Sequence, residues 1–391
     1  MSFNGVRIVD LTRVISGPFC SALLADLGAD VIKVESPGEG DPLRGQGYIA
    51  GSMSTYFANY NRNKRGIAID LYSAAGKEVL ERLLSDADVL IENYRPDVMT
   101  RMGFSPERLN EINPSLIHCN INGFGVDGPY ADRPAFDFVV QAMSGFMATN
   151  GAENDPPMRS GTPIADLVCG LYAALGVASA LHNRSRGNSG RTINVSMLAS
   201  LMSMLSFHAT DYLNSGKLVS RSGNDHGLVA PYGLFGTADG QIAVAPSNGT
   251  FYARLVKILE LPELNDDPRF GTNADRMARR SEINALVEAK TKTRTTAYWI
   301  DVLNRAGVPC GPVYGIDQAF SDPQVVSQKV AVEIEANDMP LRILGSPIRF
   351  AGEEDFIRLP PPRLGQHTDE ILMELGFSSG DVAALREQRV I

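Results

Sequence analysis

The sequence predicts an α/β protein: a large Rossmann-like domain built on a parallel sheet, plus a smaller α+β domain. Three observations carry this. Apolar runs rich in Val and Ile (VRIVDL, ADVIKVE, GIAIDL, DVLIEN, SLIHCNI) alternate with stretches of helical periodicity. Strand runs apolar along their whole length, separated by helices, imply a parallel sheet covered on both faces. The alternation stops after residue 125, and 391 residues with 44% hydrophobic content suit more than one core.

VRIVDL reads as the first strand. SGPFCSALLADLG follows as a helix with Ser16 as N-cap, Pro18 in the first turn and Gly28 beyond the end; ADVIKVE then completes a βαβ unit. GIAIDL, the helical AAGKEVLERLLSDA and DVLIEN repeat the pattern. SPERLNEI, with Ser105 and Pro106 as cap and first turn, leads to SLIHCNI. Two Pro- and Gly-rich loops, GVDGPYADRPAF and GAENDPPMRSGTP, then flank FVVQAMSGFMATN, and loops of this length usually carry function. The helix GTPIADLVCGLYAALGVASALH has one acid, Asp166, near its start. SRGNSGRTINVSMLASLMSMLSF predicts a strand and one long apolar helix. PYGLFGTADGQIAVAP predicts a hairpin turning at Asp239 and Gly240, followed by helical segments to about Arg305 that carry the only tryptophan, Trp299. The resulting division is 1–200 for the large domain, 225–320 for the small one, and 330–391 returning to the large one.

A net charge of −9 argues against nucleic acid or an anionic membrane as partner. The four cysteines form no C-x-x-C pair and the five histidines no zinc spacing, so neither a disulfide framework nor a metal is expected. VRIVDL follows Met1 almost at once. The longest apolar run, Leu167 to Leu181, looks too short and too glycine-marked to span a bilayer, and a cytoplasmic protein is expected.

Ligands of open α/β sheets bind beyond the carboxyl ends of the strands. The loop after the first strand, RVISGPFC, has one glycine and lacks the dinucleotide fingerprint, although Glu35 stands near the place of a ribose-binding acid. Arg44, Arg62, Lys64, Arg65, Arg95 and Arg101 could line an anion pocket. Asp166 and Asp137 each have two readings, a helix N-terminal carboxylate or a chemically active acid. The residues alone lead to an α/β enzyme binding an anionic small molecule.

The motifs VDLTRVISGPFCSALLADLGADVIKVE, NRNKRGIAIDL, DVLIENYRPDVMTRMG, NGFG with GPY, FDFVVQAMSG, GTPIADLVCGLYAALG, GVPCGPV and LGQHTDEIL resemble the family III CoA-transferases, whose fold α-methylacyl-CoA racemase shares. The resemblance implies Asp166 as nucleophile, attacking an acyl-CoA thioester and passing through a mixed anhydride and an aspartyl-CoA thioester. Its reference pKa near 4 and its helix position predict an ionised carboxylate at neutral pH. Coenzyme A, as acyl-CoA substrate, is implied at Ile15, Ser16, Ile69, Asp70, Leu71, Asn93, Tyr94, Arg95 and Arg101. Ile15 replaces a glutamine, and Ser36 an arginine, of the formyl-CoA enzyme, which argues against formate and oxalate chemistry. NDHGLVAPYG occupies the place of that enzyme's glycine run, so His226 and Gly227 are acyl-site candidates. The racemases carry G-H-D where this chain has AFD. Phe136 cannot move a proton, so Phe136 and Asp137 become substrate-side candidates and a transferase is favoured over a racemase or epimerase. A CoA-binding protein without turnover is the remaining alternative. The HG-x-V-x-PYG-x-F and GQHT patterns lean toward short dicarboxylic acids such as succinyl-CoA's. The family further implies an interlocked homodimer.

Overall fold

The computed structural model describes residues 1–336, 339–352 and 357–391. The chain forms two compact units, 1–146 with 160–209 and 324–391, and 147–159 with 210–323.

The first unit is built on six parallel strands: β1 (Arg7–Asp10), β2 (Asp30–Glu35), β3 (Lys64–Ala68), β4 (Val89–Glu92), β5 (Ile117–Asn122) and β6 (Thr192–Ser196). Their order is β3-β2-β1-β4-β5-β6. The order reverses between β1 and β4, which opens a crevice at their carboxyl ends where ligands of such sheets bind.

Successive residues of β1 serve opposite faces, as the pleat requires. Val9 joins Ile32, Ile67 and Leu90 in one core, covered by α3 (Ala74–Ser85), Pro106–Ile112 and the C-terminal helices Thr368–Glu374 and Ser379–Glu387. Ile8 joins Val31, Val89 and Ile117 in the other, beneath α1 (Ser16–Asp26) and α6 (Ile164–Arg184). Ile371, Leu372 and Leu385 thus return the chain end to the first core. A third cluster joins Ile15, Leu43 and Phe57 of α2 (Thr55–Asn61) to the hairpin Ala331–Ala336 and Met339–Leu344.

Helix α1 begins at Ser16 with Ile15 in the N-cap place, one residue earlier than the expected Ser16 cap. Ser105 caps its helix as expected, accepting from Arg108 N–H. Helix α6 corrects the estimate of its apolar run: its 21 residues are long and apolar enough to cross a membrane by length and composition. Its glycines do not break it, because they serve close packing instead. A Cβ at Gly176 would lie 3.1 Å from Ile193 Cγ2, and Ala173 and Val177 of the same helix are fully buried in the sheet core. The long apolar helix expected after β6 is two shorter ones, α7 (Met197–Ser203) and Phe207–Ser215. They part where Ser206 takes φ +51°, a left-handed backbone that no helix continues through.

The second unit holds a three-stranded antiparallel sheet in which Gln241–Val244 pairs with Gly233–Gly236 and Cys310–Pro312. Its hairpin closes at Asp239 and Gly240, where Thr237 N–H bonds Gly240 O at 2.9 Å. Trp299 anchors its core and donates to Thr291 O at 2.6 Å. The loop 147–159 belongs here rather than to the stretch 1–200. Arg221 donates to the carbonyls of Ala152 and Asp155, and Gly223 N–H to Gly151 O.

Candidate functional site

At the switch point a cleft of about 370 Å³ opens, lined by Arg13, Ser16, Asn93, Tyr94, Arg95, Asn122, Arg133, Phe136 and Asp166 among others. Asp166 comes from the first turn of α6 and is 8% exposed. The Ser16 side chain, at the start of α1, hydrogen-bonds its carboxylate. Helix α1 has no side-chain cap, which leaves the Ser16 and Gly17 N–H groups of its first turn without a capping side chain; Pro18 has none.

Burial raises the Asp166 pKa to about 7, the Asp137 carboxylate adds to the rise, and the Ser16 hydrogen bond opposes it. This reverses the expectation of a carboxylate kept low by its helix: desolvation and a like charge outweigh the helix terminus. Asp137 opens α5 (Asp137–Met143). Its Oδ1 accepts from Ala165 N–H at 2.8 Å, and its Oδ2 accepts from Gln141 Nε2 at 2.6 Å. Gln141 Oε1 in turn accepts from Ser160 N–H at 2.8 Å.

The loop after β1 is held from below by buried charges. Lys33 Nζ lies 2.9 Å from Thr12 O and 3.0 Å from Asp41 Oδ2, and Asp41 accepts from Val14 N–H. Val14 has φ +70°, so that ring of bonds supports a strained residue. Lys64 Nζ bridges Asp10 and Asn61, each at 3.0 Å, and Pro18 O at 3.1 Å. From above, Asn93 Oδ1 accepts from Arg13 N–H while its Nδ2 donates to Arg13 O.

Of the residues singled out in the sequence, Ser16, Asn93, Tyr94, Arg95, Phe136 and Asp166 line this cleft. Ile15 is buried against Leu43 and Phe57. Ile69 and Leu71 point into the core behind α3, and Asp70 lies between them just past β3. Arg101 ends a single turn, Val98–Arg101, outside the cleft lining. His226 and Gly227 belong to the second unit, where Arg280 Nη2 donates to the His226 carbonyl at 3.1 Å and the His226 ring packs 4.8 Å from that of Tyr232.

Four of the six cations expected in an anion pocket are held in structural ion pairs, while Arg95 lines the cleft. Arg44 pairs with Glu35 at 2.6 Å, Arg62 with Asp26 at 2.6 Å, Lys64 with Asp10, and Arg65 with Asp30 and Glu374. Glu35 is thereby occupied and is not a free ribose-binding acid. The cleft's own cations are Arg13, Arg95 and Arg133, which form no ion pair among the described residues. Arg133 instead stacks 3.7 Å from the Tyr130 ring and Arg13 lies 5.8 Å from that of Tyr94. Sequence reasoning passed over Arg13, Arg133 and Gln141. The D-x-x-x-Q spacing of DFVVQ, which puts Asp137 and Gln141 on one helix face, was a usable signal for the last.

A buried carboxylate and three uncommitted arginines at the switch point of a doubly wound sheet make a site for an anionic substrate. The chain belongs to CoA-transferase family III, whose profile matches residues 3–368, and it is an enzyme of the CoA-transferase class. It is 38% identical to the human succinyl-CoA:glutarate CoA-transferase, over 95% of this chain and 85% of that one. It is equally 38% identical to the acetyl-CoA:oxalate CoA-transferase of Acetobacter aceti, over 90% of each. A crystal structure of a CaiB/BaiF family protein from Brucella suis superposes with a TM-score of 0.84 at 37% identity, over 95% of this chain and 98% of that one.

Proposed function

We propose that this protein transfers CoA from a short dicarboxylyl-CoA, such as succinyl-CoA, to a free carboxylic acid, with Asp166 as a covalent nucleophile. The observation that carries the reading is the position of Asp166: a buried carboxylate on the cleft wall, bonded to Ser16 beside the uncapped start of α1. A carboxylate whose pKa is lifted is a stronger nucleophile when ionised, and desolvation removes the water that would blunt it.

In this reading Asp166 attacks the thioester carbonyl, the C–S bond breaks, and CoA thiolate leaves an acyl-aspartyl mixed anhydride. The thiolate then attacks the aspartyl carbonyl. The anhydride C–O bond breaks, the donor acid departs as carboxylate, and an aspartyl-CoA thioester remains. The acceptor carboxylate repeats the sequence in reverse, so Asp166 is regenerated with no net proton change. First-turn N–H groups of α1 stabilise the oxyanions. Arg13, Arg95 and Arg133 attract the anionic substrates, with CoA extending over Asn93 and Tyr94.

The identity to the succinyl-CoA:glutarate enzyme supports dicarboxylate substrates, and the equal identity to an acetyl-CoA:oxalate enzyme keeps oxalate among them. Phe136 in place of a basic residue speaks against a racemase. Self-association into a homodimer is supported by the apolar side chains left open on α5 and α6: Phe138, Val139, Met143, Leu171 and Leu175, the last 66% exposed.

The test is Asp166→Ala, assayed by mass spectrometry across a matrix of acyl-CoA donors and carboxylic acids. Loss of transfer, with a hydroxylamine-trapped adduct on Asp166 in the unsubstituted protein only, supports the reading. Near-normal transfer by the variant overturns it.

A further inference from the structure

Helix α6 starts without a side-chain cap of its own, since Pro163 occupies the N-cap place. The Ala165 N–H is one of the first-turn donors that an α-helix leaves unmatched. Asp137 Oδ1 takes that donor at 2.8 Å from another helix, immediately before Asp166 in the chain. The other oxygen of Asp137 is fixed by Gln141, which is fully buried and also holds Ser160 N–H in the segment leading into α6. One carboxylate therefore ties the first turn of α5, the approach to α6 and the first turn of α6 together.

The groups that face Asp166 from the surrounding elements are few. Ser16 faces it from α1, Tyr56 and Tyr60 from α2, Asp137 from α5, and Cys169 from one turn further along α6. Asp137 is the second carboxylate in that set, and its charge adds to the lift in the Asp166 pKa. Its bonds run to backbone and to Gln141, while Phe136 beside it is 70% exposed and lines the cleft. That arrangement moves Asp137 away from the substrate-contact role expected from sequence.

We propose that Asp137 is a positioning residue for CoA transfer, holding the first turn of α6 and with it the Asp166 carboxylate in attacking geometry. The proposal rests on Asp166 being the nucleophile.

The experiment compares Asp137→Ala, Asp137→Asn and Asp166→Ala with the unsubstituted full chain, using succinyl-CoA and glutarate, hydroxylamine trapping at Asp166, and rate profiles from pH 5 to 9. Loss of the cap in Asp137→Ala should lower kcat about 10- to 100-fold, with KM for succinyl-CoA changed less than about twofold. In Asp137→Asn the amide oxygen can still accept from Ala165 N–H, but its NH2 then faces the Gln141 Nε2 donor, so kcat should return only in part, to above that of Asp137→Ala. The acid limb of Asp137→Asn should move to lower pH by about one pH unit, because the like charge is gone. A purely structural role would instead lower the active fraction in both variants, with kcat per active site and the acid limb of Asp137→Asn unchanged; that result overturns the proposal. Wild-type kcat and acid limb in both variants overturn it as well. If Asp166→Ala transfers CoA normally, the nucleophile reading itself falls. An inactive Asp166→Ala beside unaffected Asp137 variants removes only the role given to Asp137.

Discussion

Gly170 approaches Ser16 so closely that a Cβ built on it would lie 2.6 Å from the Ser16 carbonyl oxygen and 3.0 Å from Phe19 Cδ1. Gly170 is one helical turn beyond Asp166, so this contact brings α6 onto the start of α1 and lets the Ser16 hydroxyl reach the Asp166 carboxylate. The atom in the way is backbone and cannot swing aside. Gly170→Ala is therefore expected to separate the two helices and to cost about 1–3 kcal/mol in chemical denaturation, as overpacking does. Single-turnover transfer should slow further than that loss alone explains, because Ser16 moves off Asp166. A variant with wild-type stability and rate would show that the close approach has no consequence.

Asp166 gives a second expectation that needs no substrate. Its folded pKa of about 7 stands above the unfolded carboxylate value, so the folded state holds a proton between about pH 4 and 7 that the unfolded chain has released. The native state binding more protons means that stability falls as pH rises through that window and is constant above it. The penalty at pH 8 is on the order of a few kcal/mol. Asp166→Asn keeps the shape and removes the charge. It should raise the thermal midpoint at pH 8 and give little gain near pH 4. An equal shift at both pH values would mean that the carboxylate is not destabilised by its surroundings.

The sheet was legible in the chain because the central positions of β1, β2 and β4 are buried and occupied mostly by Val, Ile and Leu, whereas β6 is only partly buried; the caps at Ser105 and Gly28 mark helix ends by local chemistry alone. The position of Asp166 in its helix was equally readable. Its raised pKa was not, since it depends on Asp137 and on walls contributed by distant segments. The cations misled for the same reason: Arg62, Lys64 and Arg65 look like a ligand cluster in NRNKRG, yet their partners Asp26, Asp10 and Asp30 lie 36, 54 and 35 residues away. The break at Ser206 has no glycine or proline to announce it.

Lys64 and Asp10 are both fully buried, and their pairing is structural rather than a substrate contact. Burial disfavours the Asp10 carboxylate, but Lys64, Lys33 and the hydroxyls of Ser21 and Thr12 hold its pKa below the ordinary range. Lys64→Met leaves that charge buried with one cation fewer, and should cost about 3–5 kcal/mol. The double variant Asp10→Asn with Lys64→Met removes both charges, and its loss should be well below the sum of the two single losses. Additive losses in a denaturation cycle would mean that the two groups do not act as a pair.

Arg133 tests whether the cleft recognises anions. Its guanidinium sits 3.7 Å from the centroid of the Tyr130 ring and forms no ion pair with a carboxylate among the described residues. A charge-assisted bond to a substrate carboxylate or phosphate supplies about 1.5–3 kcal/mol, or on the order of tenfold or more in affinity. Arg133→Gln keeps a polar but shorter side chain and loses the charge and the stacking. It should raise KM for an acyl-CoA or a dicarboxylic acceptor about tenfold while kcat stays within about threefold, since Asp166 and its supports are untouched. The effect should shrink as ionic strength rises, because the attraction lost is partly screened. Comparing donors with dicarboxylic and monocarboxylic acceptors separates the two substrates: a KM penalty confined to dicarboxylic acids assigns Arg133 to the remote carboxylate, and one in the KM of every acyl-CoA donor assigns it to CoA. Unchanged KM for every donor and acceptor would exclude Arg133 from substrate binding.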